Sequence, residues 1–284
     1  MTEHRGPTLR AQWLGNELRE MRERARLTLK EVAEYLGRNA STVSRFESGT
    51  LPVRLPEVFA YLDICGVDDP RRRADLETMS LELFRKGWWD GYTGDVAASL
   101  IDRIWLENRA TEIHYFSTMV LPGLLQTRDY AEATIRTANV GASRKQIDRW
   151  IELRMARQQL LEREESLQLT AVTDEALVRR LVGGSHVMRA QLLHLLDMAE
   201  RPDVEIQILP FAAGAHASPD GPFDVFVMAE PYPEVACMQT PSGAVYVEAA
   251  GAVPLAAAYD RLRKAALSPD DTIAFISDLA ARLE

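Results

Sequence analysis

The chain has 284 residues, 46% of them hydrophobic and 26% charged, with a formal net charge of −9. That composition excludes collagen-like, low-complexity and wholly disordered classes, and the length leaves room for more than one domain. Residues 1–75 hold 13 Lys+Arg against 12 Asp+Glu, a balance of +1, while the remainder holds 20 against 30, a balance of −10. A near-neutral amino-terminal part can grip phosphates through one basic face, and an acidic remainder discourages indiscriminate adhesion to nucleic acid. Cys65 and Cys237 stand far apart in apolar surroundings, which suits buried thiols better than a disulfide framework. No apolar run approaches the ~20 residues that span a bilayer, and the first residues lack a secretory pattern. A cytoplasmic protein with no membrane partner is the expectation.

Apolar spacing predicts a first helix over residues 9–26, with Leu14, Leu18 and Met21 on one face. Thr28 stands three residues before Glu31, the capping-box pattern, and opens a second helix with Val32, Ala33 and Leu36 inward. Gly37 stops that helix in the left-handed conformation its end needs. Asn39 caps a third, short helix in which Val43 and Phe46 point inward while Ala40, Ser41, Thr42, Ser44 and Arg45 stay outside. Gly49 ends it, and a fourth helix over 55–64 begins beside Pro56. Two short helices about a glycine turn, the second with its polar face free, make a helix-turn-helix. Arg45 can donate two hydrogen bonds to guanine, worth about 1–3 kcal/mol of discrimination. Ser41 and Thr42 can reach bases or phosphates, and Ala40 can touch a thymine methyl. Thr28 and Asn39 at helix starts, with Arg38 and Arg54 on the flanks, are expected at phosphates. The bland alternative is a packed helical unit that binds only protein.

Thr28, Ala33, Gly37, Val43, Ser44, Arg45, Glu47 and Gly49 carry a family likeness: residues 10–66 resemble the Cro/C1 (Xre) family of bacterial DNA-binding domains. The resemblance implies base contacts to double-stranded DNA from Ala40, Ser41 and Arg45, and Thr42 joins them as a base-contact candidate by its reach. Phosphate contacts are assigned to Thr28, Arg38, Asn39, Ser44 and Arg54. It also implies a buried ion pair between Glu47 and Arg22. Leu29 departs from the pattern, standing where many members have a phosphate-binding glutamine.

Residues 70–91 read as a charged linking helix followed by Trp88 and Trp89, a core or interface anchor by type. A long helix is expected over 95–117, then a Pro122-Gly123 turn and a helix capped by Thr127. Helix is expected over 147–165 and a strand over 166–173. Asp174 caps "EALVRRLVGG", with Glu175 and Arg179 paired at i,i+4, and Ser185 caps the helix after it. "VEIQILPF", "FDVFVMA", "EVACMQT" and "AVYVE" read as short strands, and two helices follow, the last capped by Ser268 with Pro269 at its first position.

"PGLLQT" with Tyr130-Ala131, "DEALVRRLVGG", Met188 with Gln191-Leu192, "IQILPF" and "GPFDVFVM" occur in that order. Residues 90–280 thereby resemble an uncharacterised effector-type domain found behind Cro/C1-type helix-turn-helices in Streptomyces and related actinobacteria. The resemblance implies an antitoxin-like transcriptional regulator, often encoded beside a small partner protein. The expected fold is multidomain: an all-α helix-turn-helix domain over 1–69, a linking segment over 70–91, and an α+β domain over 92–284 with a small antiparallel or mixed sheet. No catalytic motif, cofactor fingerprint or metal-ligand spacing is present, so no enzyme activity, cofactor or metal is expected. The remainder would serve a homodimer and a partner or ligand response. Trp88, Trp89, Gln126, Tyr130 and Arg179 are its candidate effector-pocket residues. A ligand-sensing regulator and, more remotely, an enzyme fused to a DNA anchor are the rival readings.

Overall fold

The computed structural model describes residues 7–163, 167–240 and 243–283. The chain divides into two compact units, one of residues 1–93 with 97–103 and the other of 94–96 with 104–284. The first unit contains α1 (Leu9–Arg24), α2 (Leu29–Tyr35), α3 (Ala40–Glu47), α4 (Leu55–Ile64) and α5 (Pro70–Phe84). A single 3-10 turn, Trp88–Tyr92, and the first half of α6 (Ala98–Arg109) complete it. Leu14, Leu18, Val32, Val43, Val58, Leu62 and Leu76 are wholly excluded from solvent. Each such side chain contributes about 1.5–3 kcal/mol of burial, so packing rather than propensity holds these short helices.

Local sequence sets the helix ends. Thr28 and Glu31 complete a reciprocal capping box, and the Asn39 side chain accepts from Thr42 N at 2.8 Å. Gly37 and Gly49 turn the chain at φ +63° and +68°, where a side chain would be strained. Gly15 has another role. A Cβ there would lie 2.6 Å from the carbonyl oxygens of Phe46 and Glu47, so α1 and the end of α3 touch through their backbones. A glycine inside a helix reads in sequence only as a propensity penalty, which is why this crossing is not visible there.

Asp102, on α6, is 6% exposed; the backbone of Leu9 hydrogen-bonds to it and Arg10 lies near. Its Oδ1 has no hydrogen-bond partner among the described residues. Burial pushes its carboxyl up to about 6, with Leu9 and Arg10 opposing. An unfolded aspartate titrates near ~3.9, so the folded chain holds this proton more tightly. The group's favourable contribution is complete below about pH 4 and is lost as pH rises through about 6. Asp102→Asn is therefore expected to raise stability at pH 8 by up to about 3 kcal/mol and to change it little at pH 4. Urea denaturation at both pH values checks this; equal shifts at the two would contradict it.

The second unit contains the rest of α6, β1 (Ala110–Ser117), α7 (Arg128–Ala138), α8 (Arg144–Gln158), β2 (Gln168–Asp174) and α9 (Glu175–Arg179). Then come α10 (Ser185–Ala199), β3 (Val204–Leu209), β4 (Phe223–Met228), β5 (Val235–Thr240), β6 (Gly243–Glu248), α11 (Val253–Ala265) and α12 (Pro269–Ala281). The six strands form one mixed sheet in the order β3-β2-β1-β4-β5-β6. β1, β2 and β3 run parallel, joined by helical crossovers, and β4 to β6 are antiparallel. Phe116 sits opposite Val172 and Phe223, and this apolar row packs with Tyr259 and Leu262 of α11. The multidomain architecture, helical first and α+β with a mixed sheet second, is the expected one.

Four local expectations need correction. Residues 110–117 are strand, not the continuation of a helix: β1 is hydrogen-bonded on both sides, by β2 and by β4. No glycine or proline lies within several residues of the Arg109–Ala110 junction, so the change of structure comes from tertiary pairing. Ser185 is not a cap. Gly183 and Gly184 both take positive φ, Gly184 occupies the N-cap position, and Ser185 becomes the first helical residue. "EALVRRLVGG" is helical only over α9, with Arg180 extended. The helix expected over 147–165 starts earlier, at Arg144 behind the Ser143 cap, and closes in a 3-10 turn over Gln159–Glu162. Its last expected residues, 164 and 165, lie outside the described residues, as does Ser166 of the strand expected next.

Candidate nucleic-acid interface

α3 buries Val43, Phe46 and Glu47 and exposes Ala40, Ser41, Ser44 and Arg45, with Thr42 half-buried. Asn39 organises its start. Its Oδ1 accepts from Thr42 N at 2.8 Å, from Ser41 Oγ at 2.7 Å and from Thr42 Oγ1 at 2.8 Å. Both hydroxyl protons thus point back to the cap, leaving hydroxyl lone pairs as the outward-facing groups. The Arg45 guanidinium makes no hydrogen bond or ion pair among the described residues, and its carbonyl anchors the following turn through Leu51 N at 3.0 Å. A rigidly held backbone under a free, planar five-donor side chain suits bidentate recognition.

Beneath that face, Arg22 meets the 2%-exposed Glu47 through two contacts, Nε to Oε1 at 2.6 Å and Nη2 to Oε2 at 2.9 Å. The Tyr61 hydroxyl donates to Glu47 Oε1 at 2.5 Å, and Arg19 Nε approaches Oε2 at 3.6 Å. Hydrogen bonding to Glu47 holds the Arg22 guanidinium above its usual range, against the opposing effect of burial. Burial, reinforced by Glu47, pushes the Tyr61 phenol up, so it stays a donor. Burial likewise raises the neighbouring Cys65 thiol to about 11, which keeps it unreactive at neutral pH. Tyr61 and Arg19 were not singled out in the sequence. A tyrosine on the buried side of α4 was the available signal, since an enclosed hydroxyl requires a partner.

The flanking candidates divide. Arg38, Asn39 and Arg54 line one groove of about 590 Å³ together with Thr42 and Glu57. Thr28 is exposed, but its N–H and hydroxyl both donate to Glu31 Oε2 at 2.7 Å. Those bonds hold the Glu31 carboxyl below its ordinary range. Arg54 N-caps α4 and its guanidinium carbon lies 5.9 Å from the Phe84 ring centre.

The expected effector-pocket residues fall in both units, Trp88 and Trp89 in the first and Gln126, Tyr130 and Arg179 in the second. Trp89 is buried and Trp88 is 40% exposed, their rings edge-on at 5.7 Å in the first unit. In the second unit Gln126 is enclosed: Nε2 donates to Leu121 O at 2.7 Å and Oε1 accepts from Arg154 Nη1 at 2.6 Å. The Tyr130 hydroxyl accepts from Leu121 N at 3.4 Å, and Thr127 N donates to Gln191 Oε1 at 2.7 Å. "PGLLQT" therefore spells a loop fastened by Leu121, by Arg154 of α8 and by Gln191 of α10. Arg179 pairs with Glu175 at 2.5 Å and overlies the Phe275 ring at 5.2 Å. A different concavity of about 450 Å³ lies at the amino ends of β1, β2 and β3, with Glu112, His114, Thr170, Glu205 and Arg263 on its wall. There the Tyr259 hydroxyl donates to Thr170 Oγ1 at 2.8 Å, and His114 Nδ1 lies 2.6 Å from the same oxygen. Burial lowers the His114 pKa, favouring its neutral form. His216 packs edge-on against Phe116 rather than with His114. These partners come from three separate elements, which sequence spacing does not connect.

No helix among the described residues is long and apolar enough to cross a membrane. Residues 13–75 match a family model described as Helix-turn-helix domain, which spans the α3 face and its supporting helices. No curated protein and no solved structure matches the chain. Residues 100–278, more than half of the chain, match the family described as Domain of unknown function (DUF5753), and the chain belongs to that family, with a helix-turn-helix domain ahead of it.

Proposed function

We propose that the protein is a sequence-specific, DNA-binding transcriptional regulator of the Cro/C1 (Xre) type. The observation that carries this reading is the α3 face: Ser41, Ser44 and an unpaired Arg45 exposed over a rigid, capped helix. In this reading α3 lies in the major groove, with Arg45, Ser41, Thr42 and Ala40 at base edges. Arg38, Asn39, Ser44 and Arg54 hold the backbone, and Thr28 does so only if Glu31 yields. The protein acts as a homodimer on two half-sites about 34 Å apart or a multiple of that distance. The DUF5753 domain supplies dimer contacts and the response to a partner protein or ligand, as in an antitoxin-like actinobacterial regulator. Regulation requires that the effector prefer one arrangement of the paired recognition helices.

A second reading has one observation in its favour. The concavity beside His114, Thr170 and Arg263 has the size and mixed polarity of a small-molecule site, which suits a ligand-sensing regulator. The DNA reading is tested by titrating wild type and Arg45→Ala with a duplex recovered from a random pool. Loss of one bidentate base contact is expected to weaken binding by about 1–3 kcal/mol, roughly fivefold to 150-fold, with little change on scrambled DNA. Equal affinity of the two proteins for the recovered duplex would remove Arg45 from the base-reading set.

A further inference from the structure

Glu57 reaches the groove beside α3 from within the protein. Its Oε1 accepts from Arg38 Nη2 at 2.7 Å, and its Oε2 accepts from the backbone N of Arg54 at 3.2 Å. The Arg38 side chain is 50% exposed and that of Glu57 19%. Among the described residues Glu57 is the one acidic group on that wall, which it shares with two arginines and Asn39. The two carboxylate oxygens have separate tasks. Oε2 completes the amino-terminal cap of α4, which a neutral amide oxygen could do equally well. Oε1 serves only Arg38, and that contact depends on the negative charge.

We propose that Glu57 is an intramolecular competitor for the DNA phosphate at Arg38. This rests on the reading that the α3 face binds DNA. A phosphate approaching Arg38 must take over donors that the carboxylate now holds and must sit beside a like charge. A half-exposed pair is weak enough to exchange, so Glu57 attenuates the contact without abolishing it. The consequence is a smaller sequence-independent grip, leaving base contacts a larger share of the binding free energy.

The test uses the full chain as wild type, Glu57→Gln, Arg38→Ala and the double variant. Each is titrated on a duplex recovered by wild type and on a scrambled duplex, from 50 to 200 mM salt. Glu57→Gln is expected to bind both duplexes roughly threefold to tenfold more tightly, with a log K against log salt slope steeper by about 0.9. Arg38→Ala alone is expected to lose less than about twofold, and the double variant to gain nothing over it. If Glu57→Gln binds equally or more weakly, the competitor role fails while the DNA reading stands. If Glu57→Gln does not fold, Arg38→Ala still decides. A tenfold loss with a flatter slope would mean that Arg38 already holds phosphate unopposed, and the proposal falls. A wild type that binds neither duplex would overturn the DNA reading and this inference with it.

Discussion

Replacing Glu47 with alanine is expected to cost the helix-turn-helix unit about 3–5 kcal/mol and to abolish DNA binding with it. The substitution removes one acceptor group that three donors share. Arg22, 12% exposed at its side chain, would lose both of its contacts to Glu47 and keep only Leu27 O at 3.1 Å and the exposed Glu23 carboxylate at 3.4 Å. Tyr61, with no exposure at all, would keep a hydroxyl with no acceptor in reach. Leaving buried donors unsatisfied costs far more than the net worth of the bonds they made. Glu47→Gln retains an acceptor for Tyr61 and one bond for Arg22, so its loss is expected to be clearly smaller. Urea denaturation of both variants, followed by a signal from the first unit, is the measurement. A Glu47→Ala loss below about 1 kcal/mol would show that the cluster is incidental to this unit's stability.

A comparable effect is expected in the second unit from Arg157→Met. Arg157 and Glu107 are 4% and 1% exposed at their side chains and meet through Nη2–Oε1 at 2.6 Å and Nε–Oε2 at 2.9 Å. The Tyr115 hydroxyl donates to the same carboxylate at 3.3 Å. Methionine fills much of the arginine's volume but removes the guanidinium that meets the buried Glu107 carboxylate through two bonds. The expected loss is about 3–5 kcal/mol, and Glu107→Leu added to Arg157→Met is expected to restore most of it. That recovery distinguishes an uncompensated charge from a packing defect: a cavity would make the two losses add. Additive losses in the double-mutant cycle would refute the electrostatic explanation.

The first unit was largely readable in sequence because its signals are local. Thr28 with Glu31, Asn39, Gly37 and Gly49 each report on the few residues around them, and apolar spacing of three and four does the rest. The second unit was less so. β1 follows α6 without punctuation, and its identity depends on β2 and β4, more than fifty residues away along the chain. The contact between Glu57 and Arg38 was hidden for a related reason. Nothing in a span of 19 residues reveals that a capping glutamate has a second oxygen to offer. Gln126 and Tyr130 have partners that the sequence does not show. Polar residues in a Pro-Gly loop resemble a binding edge, but here they bond the Leu121 backbone and Arg154. Trp88 and Arg179 show the same limit: side chains able to stack or fork around a ligand do so around their own neighbours.

Selection of bound duplexes from a random pool by the wild-type chain tests the central claim most directly. Recovery of one recurring sequence, arranged as two symmetric half-sites about one helical turn apart or a multiple of it, is the predicted result. Recovery of sequences no more alike than the starting pool, at salt low enough for phosphate contacts to hold, would contradict it.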